Sequence, residues 1–136
     1  MGFYMSDLRI LVVEDREEAR EMICTMLSHM GVGEIYDTHD GESALECFET
    51  MKNLSGAADI VFCDWNMPGI SGVDVLKHLR TIDPTLPFVM ITGRGDRESV
   101  KEAKKSGASG HILKPFTPEQ LEAKIRIVMQ KRARVA

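Results

Sequence analysis

Asp64 closes the apolar run Ile60-Val61-Phe62-Cys63 and opens the stretch Trp65-Asn66-Met67-Pro68-Gly69. A carboxylate that ends a short apolar run, with Pro and Gly just beyond, stands at the C-terminal edge of a buried strand. Alone, such an aspartate reads equally as a turn cap. The rest of the chain repeats the pattern with different chemistry. Glu14 and Asp15 follow the apolar run 8–13, Thr92 follows 88–91, and Lys114 follows 110–113. An acid pair, an acid, a hydroxyl and an amine that converge on one edge make a candidate site. Three carboxylates in proximity repel and raise one another's pKa. A hard cation relieves that repulsion, and Mg²⁺ takes a few carboxylates together with water and phosphate oxygens. Lys114 offers a point charge to a carboxylate or a phosphate, and Thr92 a hydroxyl to a phosphoryl oxygen. These are the parts for moving a phosphoryl group onto a carboxylate. The competing reading is an acid cluster neutralised by Lys114, with no reaction.

Those residues share an edge only if the elements carrying them form one parallel sheet. The run 8–13 reads as a buried strand. After it Ala19, Met22, Ile23, Met26, Leu27 and Met30 fall at helical spacing, and Gly31 is placed to end that helix. Residues 32–36 form a shorter, less apolar strand, suited to a sheet edge. Asp40 is a candidate N-cap for a helix with Gly41, Ala44, Leu45, Phe48 and Met51 on its apolar face. The strand 60–63 follows. Ser71 can cap a third helix carrying Val75, Leu76 and Leu79, which Asp83-Pro84-Thr85 and Pro87 stop. The strand 88–91 precedes a fourth helix with Asp96 as candidate cap and a thin apolar face, Val100 and Ala103. Residues 110–113 make a fifth strand. Thr117-Pro118-Glu119-Gln120 then has the hydroxyl, proline and Gln of a helix start, and Leu121, Ile125 and Val128 form the last apolar face. Strand–helix alternation of this kind implies an α/β fold, a parallel sheet with helices on both faces and right-handed crossovers.

Composition narrows the function classes. The 136 residues suit one domain, with 43% hydrophobic and 28% charged residues. A net charge of -4 and a pI near 5.6 give no whole-surface attraction to nucleic acid or to anionic membrane. Cys24, Cys47 and Cys63 all lie in apolar stretches without Cys-x-x-Cys spacing, as expected of reduced thiols packed as small hydrophobes. No run approaches the roughly 20 apolar residues of a membrane span. Met1-Gly2-Phe3-Tyr4-Met5-Ser6 fits the loose myristoylation pattern but lacks the features of a secretory signal. The expected organisation is a short extension over 1–7, a domain over 8–130 and a tail over 131–136. The expected location is cytoplasmic.

The ordered motifs resemble the receiver domains of two-component response regulators, most closely the single-domain chemotaxis type. The resemblance rests on I-L-V-V-E-D at 10–15, D-I-V-F-C-D-W-N-M-P-G at 59–69, I-T-G at 91–93 and G-A-S-G-H-I-L-K-P-F at 107–116. It implies a flavodoxin-like, doubly wound sheet of five parallel strands in the order 2-1-3-4-5. It implies that Asp64 accepts phosphate from a sensor histidine kinase or a phosphotransfer protein. Glu14, Asp15, Asp64 and the Asn66 carbonyl would hold Mg²⁺, with Asp15 a direct ligand and Glu14 acting through water. Lys114 would bridge to the phosphoryl group, Thr92 would swing in to bond it, and a cis bond would join Lys114 to Pro115. The domain would be no enzyme with a separate substrate, only a catalyst of its own phosphorylation and dephosphorylation. An output protein would read the face made by the fourth helix, fifth strand and fifth helix, with no direct nucleic acid and no membrane insertion.

One position departs from that pattern. The switch residue, usually Tyr or Phe, is His111. Either the ring is tolerated as a smaller aromatic, or its titration near neutrality makes the switch pH-sensitive. Two other functions fit less well. A haloacid-dehalogenase-type phosphatase wants a second Asp where Asn66 stands, and an FMN-binding flavodoxin wants Gly, Ser or Thr where 14–20 supply charge. A receiver that no longer accepts phosphate, acting as an adaptor, is the alternative function.

Overall fold

The protein is described here from a computed structural model, which covers residues 2–93 and 97–135. Its five strands are β1 (Arg9–Val13), β2 (Glu34–Thr38), β3 (Ile60–Asp64), β4 (Phe88–Thr92) and β5 (Gly110–Leu113). They alternate with helices α1 (Glu17–His29), α2 (Gly41–Leu54), α3 (Gly72–Ile82), α4 (Arg97–Lys105) and α5 (Pro118–Val135), and a 3-10 turn at Met5–Asp7 precedes β1. All neighbouring strands pair in parallel, in the order β2-β1-β3-β4-β5. The flavodoxin-like, doubly wound sheet expected from the sequence is therefore the observed one.

The near-continuous apolar strands follow from burial on both faces. Side chains alternate across the sheet. Leu11, Val13, Val61, Cys63, Phe88 and Met90 point to one side, where α2 and α3 cover them with Ala44, Phe48, Met51, Val75, Leu76 and Leu79. Ile10, Val12, Ile60, Phe62, Val89 and Ile91 point to the other, under Ile23 and Leu27 of α1 and Leu121, Ile125 and Val128 of α5. The two cores share only the sheet between them, so each strand end is clamped from two sides.

Caps set where helices start. Asp40 accepts from the Ser43 N–H, and Ser71 with Asp74 forms a full capping box. Thr117 and Gln120 exchange the reciprocal pair of bonds at the start of α5. The expected cap Asp96 lies outside the described residues. α4 buries only Ser99 and Ala103, the thin face its sequence suggests.

Two readings need correction. β2 begins at Glu34, not Val32. Val32 is instead buried in the turn after α1, with its N–H on the Leu27 carbonyl, and Gly33 bonds back to the Met5 carbonyl. The ladder to β1 therefore opens with Arg9 opposite Glu34. Met22, read as part of the apolar face of α1, is 57% exposed. Ile23 and Leu27 are the buried residues of that helix, Cys24 and Met26 pack partly against the same core, and Met22 is left on its flank beside Pro115 and Phe116. The chain also stays helical past residue 130, since α5 runs to Val135.

Candidate functional site

Four strand ends meet at the C-terminal edge. Asp64 is the last residue of β3 and Thr92 the last of β4, and both are buried. Glu14 and Asp15 follow β1, and Lys114 follows β5. Backbone bonds fix the heights. Glu14 N–H donates to the Thr38 carbonyl, Trp65 N–H to the Ile91 carbonyl, and Lys114 N–H to the Thr92 carbonyl. Each residue just past a strand is thus tied to the neighbouring strand.

The side chains converge. Carboxylate oxygens of Glu14, Asp15 and Asp64 lie within 4.8 Å of one another. Lys114 Nζ sits 2.6 Å from Glu14 Oε1 and 3.7 Å from Asp64 Oδ2. Glu14 is fully buried, and its Oε1 faces Lys114 as a charge without an aligned hydrogen bond. Its Oε2 accepts the Arg16 N–H at 3.1 Å.

The charges are unequal in consequence. Burial, then the neighbouring Glu14 charge, push the Asp64 carboxyl up to about 7, and Lys114 offsets only part of that. Burial would also raise Glu14, but Lys114 and the Arg16 N–H outweigh it and hold Glu14 below the usual carboxylate range. Below about pH 7 Asp64 therefore holds its proton more tightly than Glu14 does. A divalent cation among these oxygens would remove the main reasons for that proton. The close oxygens, the under-satisfied buried Oε1 and the unrelieved repulsion make a donor set that suits Mg²⁺.

Two supporting residues have no role in the sequence reading. Arg20 donates from Nη1 to the Glu14 carbonyl at 2.9 Å and from Nε to Asp37 Oδ2 at 3.1 Å, bracing the first strand end against the second. Only its helical offset from the acid pair hints at this. Gly72, at the start of α3, packs directly on the Asp64 carbonyl, and a Cβ there would also come within 3.0 Å of Met90 Sδ. Its N–H donates to the Trp65 carbonyl at 3.0 Å. Rigid backbone cannot yield as a side-chain tip would, so Gly72→Ala is expected to cost about 2 kcal/mol or more. Denaturant unfolding checks this; an unchanged midpoint would show that α3 shifts freely away from Asp64.

The arrangement matches known proteins. The profile of the response regulator receiver domain covers residues 10–126. The chain belongs to that family. It is 34% identical over 127 residues to chemotaxis protein CheY-3 of Vibrio cholerae, an alignment spanning 92% of this chain and 94% of that one. It is 37% identical over 125 residues to the phosphate regulon transcriptional regulatory protein PhoB of Escherichia coli, covering 90% of this chain but 52% of that longer protein. Among solved structures, chemotaxis response regulator CheY4 of Vibrio cholerae superposes with a TM-score of 0.77 at 30% identity, covering 89% of this chain and 98% of that one. This is a chemotaxis-type receiver of two-component signalling, and receivers are regulatory domains.

The remaining positions of the receiver fall as follows. The Lys114–Pro115 bond is cis. Asn66 is exposed two residues beyond Asp64, and Trp65 is half-buried beside it. An open cleft lined by Asp15, Asp40, Glu42 and Ile70 adjoins the acid cluster, so the cap residue Asp40 also lends charge to the approach. His111 is half-buried in β5. Burial, then the Lys124 charge, lower its pKa from the ordinary 6.5. Both causes favour the neutral ring. Its imidazole resonances should titrate with a midpoint below 6.5 in the folded receiver; a midpoint at or above that value would contradict this placement. Among the described residues no helix is long and apolar enough to cross a membrane.

Proposed function

We propose that the receiver is a phosphorylation-activated switch, with Asp64 the acceptor of phosphate from a phosphohistidine on a sensor kinase or phosphotransfer protein. The observation that carries this reading is the meeting of Asp64, Glu14, Asp15 and Lys114 at one strand edge. An Asp64 oxygen attacks phosphorus, the P–N bond to the donor histidine breaks, and the imidazole nitrogen leaves with the electron pair. Asp64 must be ionised to do so, and its raised pKa means that the free receiver is poised against the reaction. Asp15, Asp64, Glu14 and the Asn66 carbonyl would hold Mg²⁺, which would supply the charge that favours the carboxylate and offsets the phosphoryl oxygens. Lys114 is already within reach of Asp64 and answers the added charge as a third-party cation. Thr92 ends the adjacent strand and offers its hydroxyl to a phosphoryl oxygen. Glu14, buried and ionised, keeps Lys114 in place.

The added phosphoryl group brings about -1.5 to -2 charges to that edge. Thr92 and Lys114 respond, and the response passes to the α4-β5-α5 face through β4, which Thr92 ends, and β5, which Lys114 follows. Low burial along α4 suits an element whose position changes at small cost. An output protein reads that face. The test is incubation with Mg²⁺ and a small phosphodonor, read by intact mass. A base-labile adduct on wild type and none on Asp64→Ala supports the switch; no adduct on either would leave the adaptor reading.

A further inference from the structure

Arg20 closes the first turn of α1, with its N–H on the Arg16 carbonyl at 2.9 Å. A cation there opposes the helix dipole, which favours the acids Glu17 and Glu18 of the same turn. The Arg20 side chain is also largely withdrawn from water, at 18% exposure. Arginine is seldom buried unless its donors are used. Two of them are used beside the acid pair. Nη1 donates to the Glu14 carbonyl at 2.9 Å and Nε to Asp37 Oδ2 at 3.1 Å. The Glu14 N–H meanwhile donates to the Thr38 carbonyl. Glu14 is therefore held to two successive residues of β2, directly through its N–H and by way of Arg20 through its carbonyl. That carbonyl belongs to the peptide that leads to Asp15. Among the described residues, the N-cap Arg16 makes no side-chain cap bond. The turn from β1 into α1 takes its direction instead from the Arg20 fork and from the Arg16 N–H on Glu14 Oε2.

We infer that Arg20 is a positioning residue for the cation site. Its fork, aligned by Asp37, fixes the peptide from Glu14 to Asp15 so that the Asp15 carboxylate faces those of Glu14 and Asp64. This rests on the reading that the three carboxylates hold Mg²⁺, and it adds the group that sets their direction. Arg20 acts through backbone and Asp37, not as a ligand. The sign of its effect separates position from charge. A fixed cation beside the site repels Mg²⁺, so charge alone makes its removal tighten binding. Loss of position makes the same removal weaken binding. Arg20→Lys parts the two again. The charge stays, but one ammonium lacks the planar fork that meets a carbonyl and a carboxylate together.

The experiment is Mg²⁺ titration of the full chain, with the amide shifts of Asp15 and Trp65 giving the affinity. Arg20→Gln and Arg20→Lys should each bind Mg²⁺ about tenfold more weakly than wild type, the scale on which groups behind a metal ligand act. Asp37→Asn should weaken binding in wild type but not further in Arg20→Gln, because its carboxylate acts through the fork. Arg9→Gln controls for general loosening. Arg9 joins the opposite ends of the same two strands, Nε to Glu34 Oε2 at 2.9 Å. Its removal should leave the affinity within about twofold of wild type, since distant sites act independently. Unchanged or tighter binding by Arg20→Gln, full affinity in Arg20→Lys, or an equal loss in Arg9→Gln would each overturn the proposal. The Mg²⁺ reading fails in a different way, by the absence of any saturable shift in wild type. Failure of this inference alone leaves wild-type saturation intact and the Arg20 variants equal to it.

Discussion

Asp64→Ala is expected to abolish the phosphoryl adduct that wild type forms with Mg²⁺ and a small phosphodonor. The effect is all-or-none because the variant lacks the attacking oxygen, while every neighbour that could catalyse the step remains. Glu14 is no substitute: it is fully buried and its carboxylate is committed to Lys114 and the Arg16 N–H. Asp15 is more accessible but follows a different strand, and on the proposed function it is committed to the metal. Removing a supporting group should slow the reaction without stopping it. Asp15→Asn and Lys114→Ala are each expected to lower the rate of adduct formation by at least about tenfold, the scale on which shells around a metal-dependent site act. Intact mass against time gives both results. An adduct of equal yield on Asp64→Ala would move the acceptor elsewhere, and equal rates in the Lys114 variant would mean that its 3.7 Å approach to Asp64 has no part in the chemistry.

The second large effect is on stability, and it runs opposite to the first. Asp64 titrates near 7 in the fold, against about 3.9 for an unfolded aspartate. Between those values the folded chain binds a proton that the unfolded chain has released, so stability falls as pH rises through the window. Above pH 7 the ionised Asp64 costs up to about 4 kcal/mol, three pKa units at 1.36 kcal/mol each. Glu14 acts in the other direction: its lowered pKa contributes stability above the unfolded value near 4.3, which is lost as pH falls below that. The two terms are therefore separated in pH. In chelator at pH 8, Asp64→Asn should unfold at a temperature roughly 10 °C higher than wild type. The gap should close towards pH 4, where wild type is protonated. Mg²⁺ should also narrow it at pH 8, because a cation bound only by the folded wild type stabilises it by mass action. Thermal unfolding over pH and Mg²⁺ concentration checks each part. A variant no more stable than wild type at pH 8 would show that Asp64 ionises without strain, and the account of its raised pKa would fall.

These expectations meet at one tension. The same burial and like charge that destabilise the free receiver would be relieved by a cation, and on the proposed function a phosphoryl group would then add charge back at the same place. Trapping by Lys114 is half-present beforehand, since its amine spans Glu14 and Asp64 without a water-sized gap.

Much of this was legible from the chain itself. Alternating apolar runs and helical stripes imply a parallel α/β sheet because period and burial are local properties, and the caps Asp40, Ser71 and Thr117 mark their helix starts through bonds spanning three residues. The candidate residues 14, 15, 64, 92 and 114 follow from that sheet, since parallel strands put all C-termini on one edge. Met22 and the start of β2 were misread because neither is decided locally. Whether a helical methionine reaches the core depends on the radius at which the helix sits, and where a strand begins depends on its partner, here Arg9 opposite Glu34. Tertiary structure alone decided that burial lifts the Asp64 carboxyl to about 7 while Lys114 and the Arg16 N–H hold Glu14 low, and that Gly72 must lack a side chain to let α3 rest on the Asp64 carbonyl. Each of these is a distance between residues far apart in the chain, and no pattern of spacing along a sequence contains such a distance.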